Sequence, residues 1–176
     1  KSLDDDSHIS IEHLKNVLNL DHHNIADKTI YLFLNPDDHK KIPTSEMLSI
    51  KRLDNSYADA FKKFTSDCSR EDLKEGLVQI DDPVVYGCFY DNKLIGAASY
   101  WFWGDKIADI GVVVHPEFRQ RGVAKSLVTK LCEWGNENHK INLYRHNERN
   151  PTSHKLALSL NFKTHIVSND MIIQRT

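Results

Sequence analysis

The chain has 176 residues, 40% of them hydrophobic and 27% charged, with 23 lysines and arginines against 25 aspartates and glutamates. A chain of this size buries a sizeable core without covalent or metal staples. Its near-neutral balance gives no electrostatic reason to expect nucleic acid or an anionic membrane as a partner, and no apolar run approaches the roughly 20 residues of a membrane-spanning helix.

At the start of the chain, Ile11, Leu14, Val17 and Leu18 recur at helical spacing and predict a short amphipathic helix. Residues 29–34 read as a strand stopped by Asn35-Pro36-Asp37-Asp38. Residues 1–45 are read as an extension packed on a main domain, residues 46–176. That domain opens with a strand over 47–53. Asp54 or Asn55 then caps a helix carrying Tyr57, Ala60, Phe61 and Phe64. Ser69-Arg70-Glu71-Asp72 is close to a capping box and opens a second short helix.

Residues 83–90 and 94–103 read as strands joined by a tight turn at Asp91-Asn92-Lys93, and residues 107–114 complete a meander after Gly104-Asp105. In Tyr100-Trp101-Phe102-Trp103, alternation puts Tyr100 and Phe102 on one face and the two tryptophans on the other, one pair for the core and the other free to line an acceptor pocket. From Gly122 a helix carries Val123, Leu127, Leu131 and Trp134 on one side, ending near Gly135-Asn136. A strand over 141–146 follows, then a helix from Asn150-Pro151, and a terminal hairpin of 162–167 and 171–174 turning at Ser168-Asn169-Asp170. This mixed order predicts an α+β fold, a mostly antiparallel central sheet with helices on both faces.

Cys68, Cys88 and Cys132 are odd in number and far apart, which fits neither a disulfide framework nor a C-x-x-C metal pair. With no signal-peptide pattern at the start, a reducing, cytoplasmic compartment is expected. The ten histidines include the adjacent His22-His23, but no spacing puts two on one helical face beside a carboxylate, so no metal is expected.

The most informative stretch runs from Ile110 to Ala124: a valine-rich strand, a short basic loop, then a helix. The first amides of a helix have no internal partners and carry partial positive charge, which makes them an anion site. Gly122 lets the backbone approach a diphosphate closely, and Arg119 and Arg121 add charge-assisted contacts. Gly122-Val123-Ala124-Lys125-Ser126 is not a P-loop, because no glycine precedes the lysine, and no G-x-G-x-x-G is present.

Arg119, Gly122 and Ala124 match the R/Q-x-x-G-x-G/A signature of the GNAT N-acetyltransferase superfamily. The run Val114-His115-Pro116-Glu117-Phe118-Arg119 is similar to that family's V-x-P-x-x-R. Asn150-x-x-Ser153-x-x-Leu156, followed by Leu160-Asn161-Phe162, resembles its second signature. The resemblance covers about three quarters of the chain and implies acetyl-CoA as cosubstrate, with no metal. It implies that the strand Val112, Val113 and Val114 pairs with the pantetheine arm, that Gln120, Arg121, Gly122, Val123 and Ala124 hold the pyrophosphate with Arg119, and that Asn150, Ser153 and Leu156 flank the pantetheine and thioester. The family's Tyr after the second-motif leucine is here Ala157, and Asn161 stands where it has Gly.

Acyl transfer to an amine needs a base, a polarised carbonyl and a protonated leaving thiolate. Asp109, flanked by Ala108 and Ile110, is the first candidate for the base, since partial burial would raise its pKa; the alternative is a strand-end carboxylate facing solvent or Lys106. Tyr144 and His146 are the nearest substitutes for the missing acid. The expected activity is N-acetylation of a small-molecule or peptide amine by direct attack in a ternary complex. The competing readings are a non-catalytic acyl-CoA-binding module and a nucleotide-binding protein using the same loop. A homodimer is compatible with the sequence, and no nucleic-acid or membrane partner is expected.

Overall fold

A computed structural model describes residues 25–171. The expected helix at Ile11–Leu18 and most of the second arm of the expected terminal hairpin lie outside the described residues. Seven strands form one sheet: β1 (Ile25–Leu34), β2 (Ser49–Arg52), β3 (Val84–Tyr90), β4 (Lys93–Trp103), β5 (Ile107–Val114), β6 (Ile141–Asn147) and β7 (Lys163–Met171). The helices are α1 (Ala58–Ser66), α2 (Arg70–Gly76), α3 (Val123–Glu137) and α4 (Pro151–Ser159). Spatial order in the sheet is β2-β3-β4-β5-β6-β1-β7. Every neighbouring pair is antiparallel except β5 and β6. The expected α+β class and mostly antiparallel sheet are therefore present.

Local chemistry accounts for most element boundaries. Asp91 and Asn92 both adopt positive φ, 46° and 59°, the primed turn that twists β3 onto β4. Asp54 caps a single 3₁₀ turn ahead of α1, accepting from Ser56 N at 2.9 Å. Ser69 Oγ accepts from Asp72 N at 3.1 Å and starts α2. Asn150 accepts from Ser153 N at 3.0 Å and starts α4, with Pro151 in the first turn, where its missing N–H costs nothing.

Apolar side chains pack on both faces of the sheet. One cluster joins Val123, Leu127, Val128 and Leu131 of α3 and Ala157 of α4 to Ile95, Ala98, Tyr100 and Ile110. The other joins Phe61 and Phe64 of α1 to Val85, Ala97 and Val113. The aromatic run alternates as expected: Tyr100 is fully buried, whereas Trp101 is 62% exposed and Trp103 40%. No helix among the described residues is long and apolar enough to cross a membrane.

Two features depart from the sequence reading. The strand expected in the leading segment is longer, and it lies inside the sheet between β6 and β7, with Leu32 and Leu34 in the core. The turn expected at Ser168-Asn169-Asp170 does not form: Ser168 and Asn169 are strand residues, in register with Thr29 and Lys28 of β1. Their turn propensity is a weak local preference, and the ladder offered by β1 overrides it.

The C-terminal end of α2 lies against β5 with no room to spare. A Cβ at Gly111 would collide with the Gly76 carbonyl oxygen and sit 2.9 Å from that of Leu77. Gly111→Ala is expected to lower stability by about 1–3 kcal/mol, read as a fall in denaturant midpoint at constant slope.

On the other face, α4 is held to β6 by a histidine pair. His146 Nδ1 donates to the Asn147 carbonyl at 2.7 Å, so its Nε2 accepts from His154 Nδ1 at 3.0 Å. Burial depresses the pKa of His146, which is therefore neutral in the folded chain where an unfolded imidazole is already charged. The unfolded state then binds more protons, so stability falls as pH drops through the ordinary histidine range and levels off below the folded-state pKa. His146→Gln is expected to flatten that part of a stability-versus-pH curve.

Candidate active site

The strands β5 and β6 pair in parallel only at Ile107–Ile141, Ala108–Asn142 and Asp109–Leu143. Beyond these contacts β5 runs on to Val114 and β6 to Asn147 without meeting. A cavity of about 690 Å³ fills the opening. Its sheet walls are Ile110, Val112, Val113 and Val114 on one side and Tyr144 on the other. Above them lie Phe118, Arg119, Gln120, Gly122, Val123, Ala124 and Lys125. Asn150, Thr152, Ser153 and Leu156 enter from α4, and Asp72, Glu75 and Gly76 from α2.

The loop between β5 and α3 has the backbone of an anion cradle. Gln120 and Gly122 both take left-handed conformations, φ 60° and 79°, and α3 has no side-chain cap. Left-handed residues alternating with ordinary ones turn successive N–H groups to one side, and the uncapped helix start adds its own amides. Apart from its chain neighbours, no protein heavy atom lies within 4 Å of where a Gly122 Cβ would stand, so within the protein it is the positive φ that calls for glycine.

The loop is anchored from below by His115, whose side chain is buried. Its Nδ1 accepts from Glu117 N at 3.3 Å, and its Nε2 lies 3.4 Å from Asp67 Oδ2. The Lys93 ammonium lies 3.1 Å from the same nitrogen. Arg119 pairs with Asp72 at 2.7 Å and reaches the Val114 carbonyl at 3.4 Å, tying loop, strand and α2 together. Burial acts to raise the pKa of Asp72, but the Ser69 hydroxyl and Arg119 outweigh it and hold the carboxyl below its usual range.

The structure thus brings together Val112, Val113, Val114, Arg119, Gln120, Gly122, Val123, Ala124, Asn150, Ser153 and Leu156 around one space, with Tyr144 among them. Arg121 stands just outside the wall, its guanidinium 5.2 Å from the Phe118 ring centre. Asp109 is not on the wall. It is buried, and its Oδ2 accepts from Arg145 Nε at 2.6 Å. Burial raises its pKa, against the opposing effects of Arg145 and a hydrogen bond from Trp103. Tyr144 is 3% exposed; burial raises its phenol pKa, with the Ser153 side chain opposing through a hydrogen bond. Ala157 is fully buried in the core.

Sequence reasoning missed the α2 contribution, Asp72, Glu75 and Gly76, because the capping signal at Ser69–Asp72 marks a helix start and no chemistry, and the helix's approach depends on the Gly76–Val113 packing. Thr152 and Lys125 sit within stretches already singled out. Among the described residues, no group of three or more His, Cys, Asp or Glu side chains is arranged to hold a metal ion.

Residues 50–162 match the model of the acetyltransferase (GNAT) family. No curated protein matches the chain. Among solved structures it is similar to a GNAT-family acetyltransferase from Colwellia psychrerythraea, at 18% identity and TM-score 0.61 over 89% of this chain and 61% of that one. It is also similar to a GCN5-related N-acetyltransferase from Kribbella flavida, at 15% identity and TM-score 0.62 over 89% of this chain and 63% of that one. The chain therefore spans about three fifths of the length of these two proteins. An aminoglycoside N-acetyltransferase, AAC(6')-Iy in complex with CoA, is similar at 21% identity and TM-score 0.54, over 77% of this chain and 99% of that one. The family match spans more than half of the sequence and the motif residues meet around one cavity, and on these grounds the chain belongs to the acetyltransferase (GNAT) family.

Proposed function

We propose that this protein binds acetyl-CoA in the opening between β5 and β6 and transfers the acetyl group to a primary amine of a small molecule or peptide, by direct attack with both substrates bound. The observation that carries the proposal is the continuity of one cavity from the uncapped start of α3 to the unpaired stretch of β5. A diphosphate suits the first end, because converging amides and Arg119 supply charge without a metal. A pantetheine arm suits the second, since its amides can pair with a strand that has no neighbour on that side. That an aminoglycoside N-acetyltransferase shares the fold with CoA bound supports both the cosubstrate and an amine acceptor.

Acetyl-CoA supplies an activated thioester. The chain's own part is positioning and proton handling. Val112 to Val114, Asn150, Ser153 and Leu156 confine the arm, so that attack becomes effectively unimolecular. A phenol is protonated near neutral pH, burial moves the Tyr144 pKa further upward, and its place on the cavity wall suits it to give that proton to the departing sulfur. This role falls to β6 because the position after Leu156 holds a small residue sunk in the core, with no hydroxyl to offer.

Two measurements test the assignment. Calorimetry with CoA should show binding, and reversing charge at both Arg119 and Arg121 should weaken it by about tenfold or more, as expected when one contacting and one neighbouring positive charge at the cradle become negative. Tyr144→Phe should lower kcat by roughly 100-fold while leaving CoA affinity within a factor of about three. Absence of CoA binding by the intact protein would overturn the proposal. Binding without thiol release across a broad amine panel would favour a non-catalytic acyl-CoA-binding module.

A further inference from the structure

Resting on that reading, we infer that Glu75, at the end of α2, is the group that receives the acceptor's ammonium and takes up its proton. An amine of ordinary basicity arrives at neutral pH as a cation and cannot attack until it sheds a proton. The acceptor of that proton must face the cavity. Among the described carboxylates, Asp72 and Glu75 do, and Asp109 does not. Asp72 is committed: it pairs with Arg119 at 2.7 Å and accepts from Ser69 Oγ at 2.5 Å. Glu75 carries one long hydrogen bond, accepting from Asn150 Nδ2 at 3.3 Å, its charge acts on the nearby His146 imidazole, and its residue is exposed to solvent.

Its position suits the role. Gly76, the next residue, lies against Val112 and Val113 of β5, on the sheet face opposite the α3 helix. From there Glu75 reaches across the gap to the first turn of α4. The cavity therefore passes through the sheet, with the anion cradle at the α3 side and a carboxylate at the α2 side. An amine entering from the α2 side meets Glu75 before it meets the thioester. The step balances as follows. Glu75 takes one proton from the ammonium and later returns it to solvent. The nitrogen–carbon bond then forms and the carbon–sulfur bond breaks. The second proton lost by nitrogen makes up for the one Tyr144 gives to sulfur.

The test is thiol release from acetyl-CoA over a panel of aliphatic primary amines and amino sugars from pH 6 to 10, with wild type, Glu75→Gln and Asp81→Asn. Asp81 is exposed and off the cavity wall, so its variant controls for the same change in charge. The expected result is a roughly 100-fold lower kcat/KM for Glu75→Gln near neutral pH. The deficit should shrink as pH approaches the acceptor's own pKa and free amine becomes abundant, with CoA affinity by calorimetry unchanged. A deficit that stays constant with pH, or none at all, would overturn the role of Glu75 while leaving the cosubstrate assignment standing. Failure of wild type to bind CoA would remove the underlying reading instead. CoA binding with no turnover of any amine would overturn amine transfer and the role of Glu75 together.

Discussion

Everything about the site depends on one interruption of hydrogen bonding. The β5 and β6 strands, the single parallel pair in the sheet, stay together for three residue pairs and then part. In a sheet interior, unmatched backbone groups are costly unless something else meets them. Here the divergence occurs where the next helices begin, so the gap is lined by a strand edge, two helix starts and a phenol instead of being closed by packing. The cavity is the space left by that parting.

Holding the two strands apart takes work from elsewhere. The loop leaving β5 is pinned by buried His115, with Lys93 and Asp67 behind it, and by the Arg119–Asp72 pair. At the closed end, Tyr100 hydrogen-bonds Asn142, which in turn donates to Asn136 at 2.8 Å, linking β4, β6 and α3 where the strands still touch. Rigid fastening at the apex and at the loop leaves the middle open, as preorganised binding requires. Arg145 and Asp109 belong to the apex too: a buried carboxylate is tolerable because the guanidinium and the Trp103 indole both donate to it.

What could be read beforehand followed the range of the interactions involved. The turn at Asp91-Asn92, the caps at Ser69 and Asn150 and the helix start at Gly122 are decided by neighbours in sequence, and the chain spells them out. The burial of Asp109 was legible from Ala108 and Ile110, but its partner was not. Arg145 reaches it through strand register, which no local pattern encodes. Glu75 was hidden for a related reason: only the close fit of Gly76 on β5 brings α2 to the cavity. At the C-terminus, Ser168-Asn169-Asp170 spoke for a turn, and a partner more than a hundred residues upstream spoke louder.

That distant partner has a consequence for how the sheet is assembled. Because β1 lies between β6 and β7, the last strand has no place to dock until the first described strand has inserted. Closure of this end must therefore wait for chain segments at opposite ends of the described region to find each other, the long-range kind of pairing that slows folding. Until then β6 is a bare margin carrying Tyr144, and the wall of the cavity is itself an unfinished edge open to pairing with another chain.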